Sequence, residues 1–299
     1  MRWFVLLVFV ASAVYVHLRG RVRHGVFRQL SDHSTFTAPL NCFCYLLSAV
    51  LTTPFVPASY FPELRQLRQE WRTFRHEALA LLDIQRIRPS DKIDDIGFNS
   101  FFRRGWKRFY LKWYDDPHPS AILLCPRTVA ILARIPSVKA AMFALLPAGG
   151  TLGLHRDPLA VSLRYHLGLV TPNDDRCAIV VDGMPYAWRD GEDVIFDETY
   201  LHDAANRTDQ DRIILFCDVE RPLKYRWAQA VSRVMGDFLL RASAAPNETG
   251  DRTGGLNRAF RYLYVLRRFG KRFKAWNRTA YYIFKWSLFG ALAFVLFRH

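Results

Sequence analysis

Short stretches rich in β-branched and aromatic residues follow one another between residues 97 and 220, and this pattern constrains the fold most. Proline, glycine, asparagine and aspartate separate the stretches, which read WKRFYLKWYDD, SVKAAMFALL, LAVSLRYHLGLV, RCAIVVDGMPYAW, EDVIFDETYLHDAANR and RIILFCDV. Several short strands at this spacing are typical of a β sandwich or barrel rather than of alternating strands and helices. The sequence therefore predicts a mainly β domain over residues 97–235, with helices flanking it.

The rest of the chain divides into four segments. Residues 1–20 and 281–299 are predicted membrane segments, residues 21–96 an interfacial or helical segment, and residues 236–280 a linker with a basic juxtamembrane part. Within the second segment, LRQLRQEWRTFRHEALALLD (64–83) has apolar residues at helical spacing, which predicts an amphipathic helix. Cys42 and Cys44 are two residues apart and would share a face if this stretch were a strand, and we interpret both as ordinary apolar residues.

Both ends of the chain are apolar. WFVLLVFVASAVYVHL runs from Trp3 to Leu18, and YYIFKWSLFGALAFVLF runs from Tyr281 to Phe297. A helix needs about 20 residues to cross a bilayer, so each segment requires local thinning or snorkelling of its basic neighbours. We expect a membrane helix at each end. A cleaved signal peptide at the first and an in-plane helix at the last remain alternatives.

The net charge of +15 also belongs to the two ends. Residues 1–28 carry five arginines and residues 252–299 carry eleven basic residues, in both cases without an acid, which leaves 26 bases against 27 acids between. This placement favours a membrane surface over nucleic acid as the partner. The basic flanks predict a cytoplasmic middle domain, and the odd set of five cysteines suits free thiols in a reducing compartment.

The segment LHRDPLAVSLRYHLGLV carries a motif suited to metal binding. His155 and Asp157 are two residues apart, so in a strand they share a face. A second imidazole from a later strand, His202, would complete a triad of two histidines and one carboxylate, which leaves adjacent positions open on Fe(II). Asp197 and Glu198, just upstream of His202, are candidates to orient its ring.

Three further basic side chains suit an anionic cosubstrate. Arg212 opens the strand RIILFCD, and its guanidinium can meet a carboxylate with two hydrogen bonds. Arg164 and His166 lie two residues apart in LAVSLRYHLGLV, so they share a face of that predicted strand and would also face the cosubstrate. From the spacing alone, buried histidine–acid pairs remain an open alternative to a metal site.

The run HRDPLAVSLRYHLGL, Cys177, WRDGEDVIFDETYLHDAAN and Arg212 resembles the aspartyl/asparaginyl β-hydroxylase family over roughly residues 97–220. The resemblance implies a double-stranded β-helix, or jelly roll, that uses Fe(II), 2-oxoglutarate and O2, and it leaves ascorbate open as an accessory reductant. Position by position, it makes His155, Asp157 and His202 the iron ligands. Arg212 and His166 match the 2-oxoglutarate contacts, and Arg164 is a further candidate.

Within that family, the intact HxD motif, the apolar ends and FPEL at 61–64 most resemble the bacterial branch that acts on lipid A. This resemblance implies hydroxylation of C2 of a lipid A acyl chain at the cytoplasmic face of the inner membrane. Lipid A or a related acyl lipid and the membrane are then the expected partners, with no nucleic acid. A membrane-bound peptide hydroxylase of the same fold and a non-catalytic, cupin-like metal-binding module remain alternatives.

Overall fold

The computed structural model describes residues 1–90, 95–114 and 116–297. Its strands are β1 (Lys107–Trp113), β2 (Asp116–Pro117), β3 (Val138–Leu146), β4 (Thr151–His155), β5 (Ser162–Val170), β6 (Cys177–Val181), β7 (Met184–Ala187), β8 (Asp193–Phe196), β9 (His202–Asn206) and β10 (Arg212–Glu220). Its α-helices are α1 (Arg2–Leu18), α2 (Val26–Leu30), α3 (His33–Phe36), α4 (Ala38–Leu46), α5 (Arg65–Gln69), α6 (Trp71–Asp83), α7 (Asn99–Phe102), α8 (Pro119–Leu124), α9 (Pro126–Ala133), α10 (Arg226–Arg241), α11 (Gly255–Trp276) and α12 (Arg278–Phe297).

The strands form two antiparallel sheets with jelly-roll connectivity. The larger sheet has the order β2-β1-β3-β10-β5-β8, and the smaller sheet has the order β4-β9-β6-β7. Strands β3, β4 and β5 and then β8, β9 and β10 fall alternately in the two sheets, while β6 and β7 form a hairpin within the smaller sheet. This is the arrangement of a double-stranded β-helix. The expected β fold with flanking helices is therefore present.

The larger sheet is buried on both faces, and the two faces differ in chemistry. Leu163, Tyr165 and Leu167 of β5 face an apolar core that also contains residues of α6 and α9. Because side chains alternate along a strand, Arg164 and His166 face the other way, into the space between the sheets. The same alternation on β10 places Ile213 and Leu215 in the helix-covered core and Arg212 between the sheets.

A layer of helices from both ends of the chain packs beside the jelly roll. Val16 of α1 and Cys44 of α4 share an apolar cluster with Leu159, Ala160 and Val161. Cys42 and Cys44 both lie in α4, so their two-residue spacing does not place them on one face of a strand. The predicted amphipathic helix over 64–83 is divided into α5 and α6, which meet at Glu70.

The prediction of a membrane helix at each end is wrong. Among the helices of the described ranges, none combines the length and the apolar character needed to cross a bilayer. Helix α1 has 17 residues and is followed at once by Arg19, whose guanidinium lies 2.5 Å from the Asp197 carboxylate. Helix α12 has 20 residues but includes Lys285 and several tyrosine, tryptophan and serine residues. Arg298, beyond its end, lies outside the described residues.

Candidate active site

Two histidines and one aspartate meet at one end of the smaller sheet. A ligand atom of His155, one of Asp157 and one of His202 all lie within 4.8 Å of one another. His155 ends β4 and His202 begins β9, and the two residues are register partners in the antiparallel pair. The Nε2 of His155 lies 3.9 Å from Oδ1 of Asp157. Three donors at this separation can hold one metal ion.

The backbone after β4 brings Asp157 to this position. The strand ends at His155, so Asp157 lies in the following loop rather than on the strand, as the spacing alone suggested. Its amide donates a hydrogen bond of 2.8 Å to the carbonyl of Glu198. Arg156, between His155 and Asp157, turns away and donates to the carbonyl of Val16 at 3.0 Å. The loop therefore directs alternate side chains to opposite sides, as a strand would.

Backbone carbonyls orient both imidazoles. The Nδ1 of His155 lies 2.7 Å from the carbonyl of Gly153, and the Nδ1 of His202 lies 2.9 Å from the carbonyl of Tyr200. A carbonyl only accepts, so each Nδ1 carries the proton and each Nε2 keeps its lone pair for a metal.

The two acids expected to orient His202 have other partners. Asp197 pairs with Arg19 and with Arg221, whose Nη2 lies 2.9 Å away. Glu198 pairs with Arg164. Their contacts therefore support neighbouring structure rather than the ring of His202.

The electrostatics of the cluster favour the protonation states that bind a metal. Burial lowers the pKa of His202 to about 3, and the neighbouring His155 acts in the same direction. Burial alone would raise the pKa of Asp157, but Arg164 and His202 outweigh it and hold that pKa below its usual value. At neutral pH the site therefore presents a neutral imidazole at His202 and a carboxylate at Asp157.

A second, cationic end of the site lies on β10 and β5. Arg212 is 2 % exposed, and its Nε and Nη1 have no hydrogen-bond partner in the described part of the chain. The same holds for both ring nitrogens of His166 and for Nε1 of Trp188. The Arg212 guanidinium lies 4.2 Å from the centre of the Trp188 ring. Leaving so many buried donors unpaired is costly, so this end is suited to an anionic ligand.

Burial also shapes the charge of this cationic end. It lowers the pKa of Arg212 to about 10, which still leaves the guanidinium charged at neutral pH. Burial, with Arg212 nearby, lowers the pKa of His166 well below its usual value. A neutral His166 can offer one hydrogen-bond donor, while Arg212 supplies the positive charge.

Arg164 pairs with three carboxylates, of which Asp157 belongs to the candidate metal cluster. Its Nη2 lies 2.6 Å from Oδ2 of Asp157 and also bonds Glu198, while its Nη1 bonds Asp218. The Phe216 ring covers the guanidinium, with its centre 3.9 Å from Cζ. Arg164 lines the same pocket as Arg212 and His166, and contact between Arg164 and a cosubstrate stays a prediction.

One pocket joins the metal cluster to the cationic end. It is lined by all six side chains predicted from the sequence. Its remaining walls are mostly apolar or aromatic: Phe98, Phe101, Trp106, Ala144, Leu152, Ile179, Trp188, Phe196, Ala204, Ile214 and Phe216. Such walls exclude water and accept an apolar chain.

Three residues of this environment were not found by sequence reasoning. Asp218 lies in the buried strand β10, Trp188 covers Arg212, and the Phe101 ring lies 5.0 Å from the His155 ring. An acid within the apolar run RIILFCDV was a usable signal for Asp218, since an unpaired buried carboxylate is costly. Nothing in the local sequence distinguishes Trp188 or Phe101 from ordinary core residues.

Comparison with known proteins places the chain in a family. The family model described as aspartyl/asparaginyl beta-hydroxylase matches residues 68–222, which is more than half of the sequence. The chain belongs to this family. The resemblance inferred from the HxD segment and Arg212 is thereby confirmed, and the matched residues include the His155–Asp157–His202 cluster and the cationic end.

Several curated members of this hydroxylase family are similar to the chain. The ornithine lipid ester-linked acyl 2-hydroxylase of Rhizobium tropici is 35% identical over 174 residues, covering 57% of this chain and 62% of that protein. The human aspartate beta-hydroxylase domain-containing protein 2 is 31% identical over 126 residues, covering 39% of this chain and 34% of that protein. The chain thus spans less than two thirds of the length of these relatives.

The solved structures that resemble this chain are less similar to it in sequence than these relatives are. A prolyl-4-hydroxylase from Pseudomonas putida is 17% identical with a TM-score of 0.33, covering 52% of this chain and 88% of that chain. A DMSP lyase from Ruegeria pomeroyi is 15% identical with a TM-score of 0.28, covering 42% of this chain and 51% of that chain.

Proposed function

We propose that the protein is an Fe(II)- and 2-oxoglutarate-dependent dioxygenase that hydroxylates C2 of a fatty acyl chain of lipid A. One observation carries this proposal. A cluster of two histidines and one carboxylate shares a pocket with a buried arginine, Arg212, whose Nε and Nη1 have no partner among the described residues. A metal alone explains the cluster but not the unpaired guanidinium. A keto acid that binds the metal and carries a second carboxylate accounts for both.

The residues present fit these two groups. Two imidazole nitrogens and one carboxylate oxygen are the donors typical of non-haem Fe(II) oxygenases, and His155, Asp157 and His202 would supply them. Arg212 and His166 would bind the far carboxylate of 2-oxoglutarate through charge-assisted hydrogen bonds. When bound, iron and cosubstrate would supply the oxidising power, with one oxygen atom of O2 entering the acyl chain and the other entering succinate as CO2 is released.

The protein's own contribution is to bind, to orient and to exclude water. The carbonyls of Gly153 and Tyr200 hold the two imidazoles with Nε2 toward the centre. The aromatic and aliphatic walls keep the site dry, which prevents unproductive reaction with water. The same walls suit the methylene groups of an acyl chain, each worth about 0.8 kcal/mol on burial.

An acyl lipid is the proposed substrate class because of the Rhizobium relative. That protein is named as acting on the ester-linked acyl chain of ornithine lipid. Charge favours lipid A for the present chain, since the eleven basic residues of 252–299 are unopposed by acids in that segment and suit the phosphates of lipid A. Ornithine lipid is the second candidate.

We further propose that the protein works at the cytoplasmic face of the inner membrane, lying on the bilayer surface. Several large apolar side chains of α1 and α10 are exposed: Trp3, Phe4, Leu7, Trp227, Val234 and Phe238. Helix α2 adds Phe27, which is 88% exposed. Its neighbour Arg28 donates to the carbonyl of Leu154, next to the ligand His155. Apolar side chains between basic residues suit an anionic lipid surface.

Mass spectrometry of lipids tests the proposal. Lipid A from cells that express the protein should contain a species 16 Da heavier, and purified protein should form succinate from 2-oxoglutarate when Fe(II) is added. His155→Ala and Asp157→Ala should abolish both, whereas His76→Ala, on an exposed position of α6, should change neither. If oxygen is added to ornithine lipid instead, ornithine lipid replaces lipid A as the substrate. If oxygen is added to a peptide, the alternative of a peptide hydroxylase is supported. Absence of succinate formation would reject the oxygenase.

A further inference from the structure

Arg164 is the centre of a buried network that includes the proposed metal ligand Asp157. Its guanidinium is paired with Asp157, Glu198 and Asp218. The side chain of Arg164 is 7% exposed, and those of Glu198 and Asp218 are 3% and 7% exposed. Buried pairs of this kind persist only when their geometry is well satisfied.

The sheet itself sets the position of this guanidinium. In the larger sheet, Arg164 is the register partner of Asp218 on β10 and of Phe196 on β8. Glu198 follows β8 by two residues, so its carboxylate reaches Arg164 from the other side. Arg164 is therefore held between two neighbouring strands before it contacts Asp157.

The two acids that hold Arg164 are themselves held. The hydroxyl of Ser162 donates to Oε1 of Glu198 at 2.9 Å. The hydroxyl of Tyr114 donates to Oδ2 of Asp218 at 3.3 Å. Each acid thus presents its other oxygen to Arg164 in a defined direction.

The position of Arg164 determines how the carboxylate of Asp157 is oriented. Its Oδ2 accepts from Nη2 of Arg164 at 2.6 Å, while its Oδ1 lies 3.9 Å from Nε2 of His155. One oxygen is thus occupied by the guanidinium and the other faces the imidazoles. A guanidinium holds its N–H donors in a rigid planar fork, so Nη2 meets Asp157 from a fixed direction while Nη1 is engaged by Asp218. An ammonium group can rotate and does not fix that direction.

We propose that Arg164 is a positioning residue that holds Asp157 with Oδ1 toward the metal, and that Glu198 and Asp218 hold Arg164 in place for this role. The inference rests on the proposed metal site. It assigns to Arg164 a task distinct from binding the cosubstrate, and it gives Glu198 and Asp218 a function in the site. Changes to groups that orient a metal ligand typically weaken metal binding 10–100-fold.

Titration of the metal-free protein with Co(II) tests this role without any turnover. Arg164→Lys keeps the charge but loses the planar fork. It should bind Co(II) at least about 10-fold more weakly than the wild type, with altered visible absorption bands, because Asp157 is free to reorient. Asp218→Asn should shift affinity and bands in the same direction by less. Arg108→Lys is the matched control, since Arg108 is buried and paired with Asp95 away from the ligands, and it should match the wild type.

Each result of the Co(II) titration either supports or overturns the positioning role of Arg164. Equal affinity and identical bands for the wild type and Arg164→Lys would overturn the positioning role while leaving the proposed function intact. If the wild type itself binds no Co(II), the proposed function fails and the positioning role fails with it. Circular dichroism checks that each variant is folded. If Arg164→Lys is unfolded, the Co(II) affinities of Asp218→Asn and Tyr114→Phe test the positioning role instead. If both variants bind Co(II) as the wild type does, that role is overturned.

Discussion

His155 and His202 face each other across the antiparallel pair β4–β9, with their ring centres 4.2 Å apart. Two imidazoles so close, with both Nδ1 atoms engaged by carbonyls, are arranged to share one ion. His202→Ala should therefore abolish the rise in melting temperature that Mn(II) or Co(II) produces in the wild type. Saturation at about 100 times the Kd stabilises the wild type by about 2.7 kcal/mol. His76→Ala should keep the full rise, and a metal-induced rise retained by His202→Ala would contradict the assigned ligand set.

Arg212 should dominate the affinity for 2-oxoglutarate. Arg212→Met removes the buried positive charge and its unpaired donors, and a hydrogen bond to a charged group contributes about 1.5–3 kcal/mol. We expect binding of 2-oxoglutarate to the Mn(II)-loaded protein, followed by calorimetry, to weaken on the order of 100-fold. Arg176→Met changes an exposed arginine paired with Asp174 and should leave the Kd unchanged. Equal affinity in the two variants would exclude Arg212 as the anchor.

Gly168 lies two residues after His166 and permits a close backbone approach. A Cβ at this position would lie 2.0 Å from the carbonyl oxygen of Arg189, and the Gly168 amide donates to the carbonyl of Glu192 at 2.9 Å. Gly168→Ala should lower the free energy of unfolding by at least about 3 kcal/mol, because the backbone must move. Gly290→Ala, where a Cβ meets open space, should not destabilise the protein. Urea denaturation of both variants checks this.

His118 should make the fold acid-sensitive. Its ring is buried, stacks on Tyr110 at 5.6 Å, and burial lowers its pKa to about 4, although Asp251 acts in the opposite direction. Between this value and the pKa of about 6.5 in the unfolded chain, the unfolded state binds the extra proton. The contribution of His118 to the free energy of unfolding is therefore complete above pH 6.5. It is lost as the pH falls toward 4, by up to about 1.4 kcal/mol per pH unit.

The variant His118→Phe isolates this effect. Both ring nitrogens of His118 lack a hydrogen-bond partner within the described residues, so phenylalanine keeps the ring stacking without the titration. Relative to the wild type, His118→Phe should gain about 2 kcal/mol of stability when the pH is lowered from about 7.5 to about 5. Urea denaturation at the two pH values measures it, and parallel curves would refute the assignment.

Arg19 should tie the N-terminal helix to the jelly roll. Its guanidinium lies 2.5 Å from Asp197 and 3.8 Å from the centre of the Tyr200 ring. Arg19→Met leaves the fully buried carboxylate of Asp197 with Arg221 and Thr199 as partners and should cost about 3 kcal/mol of unfolding free energy. Arg23→Met, at an exposed arginine whose Nε donates to the carbonyl of Gly20, should cost less than about 0.5 kcal/mol. Equal unfolding midpoints would show that the Arg19 contact contributes nothing.

Local patterns predicted most of the sheet. The stretches LAVSLRYHLGLV and RIILFCDV, rich in β-branched and aromatic residues, were predicted as strands, and they contain β5 and β10. Because side chains alternate between the two faces of a strand, Arg164, His166 and Arg212 all face the space between the sheets. The helical end segments misled the prediction, because an apolar run that packs on a domain and one that spans a bilayer have the same local composition.

Sequence by itself determined which residue types stand at which spacing: an HxD pair, a distant histidine and an arginine ten residues beyond it. Only the tertiary structure decided that Arg164 pairs with Asp157 and that Asp197 and Glu198 serve arginines rather than His202. The physical reason is that a buried charge pairs with whichever partner the packed strands bring within hydrogen-bond distance. That distance depends on strand register and sheet order, which neighbouring residues along the chain do not encode.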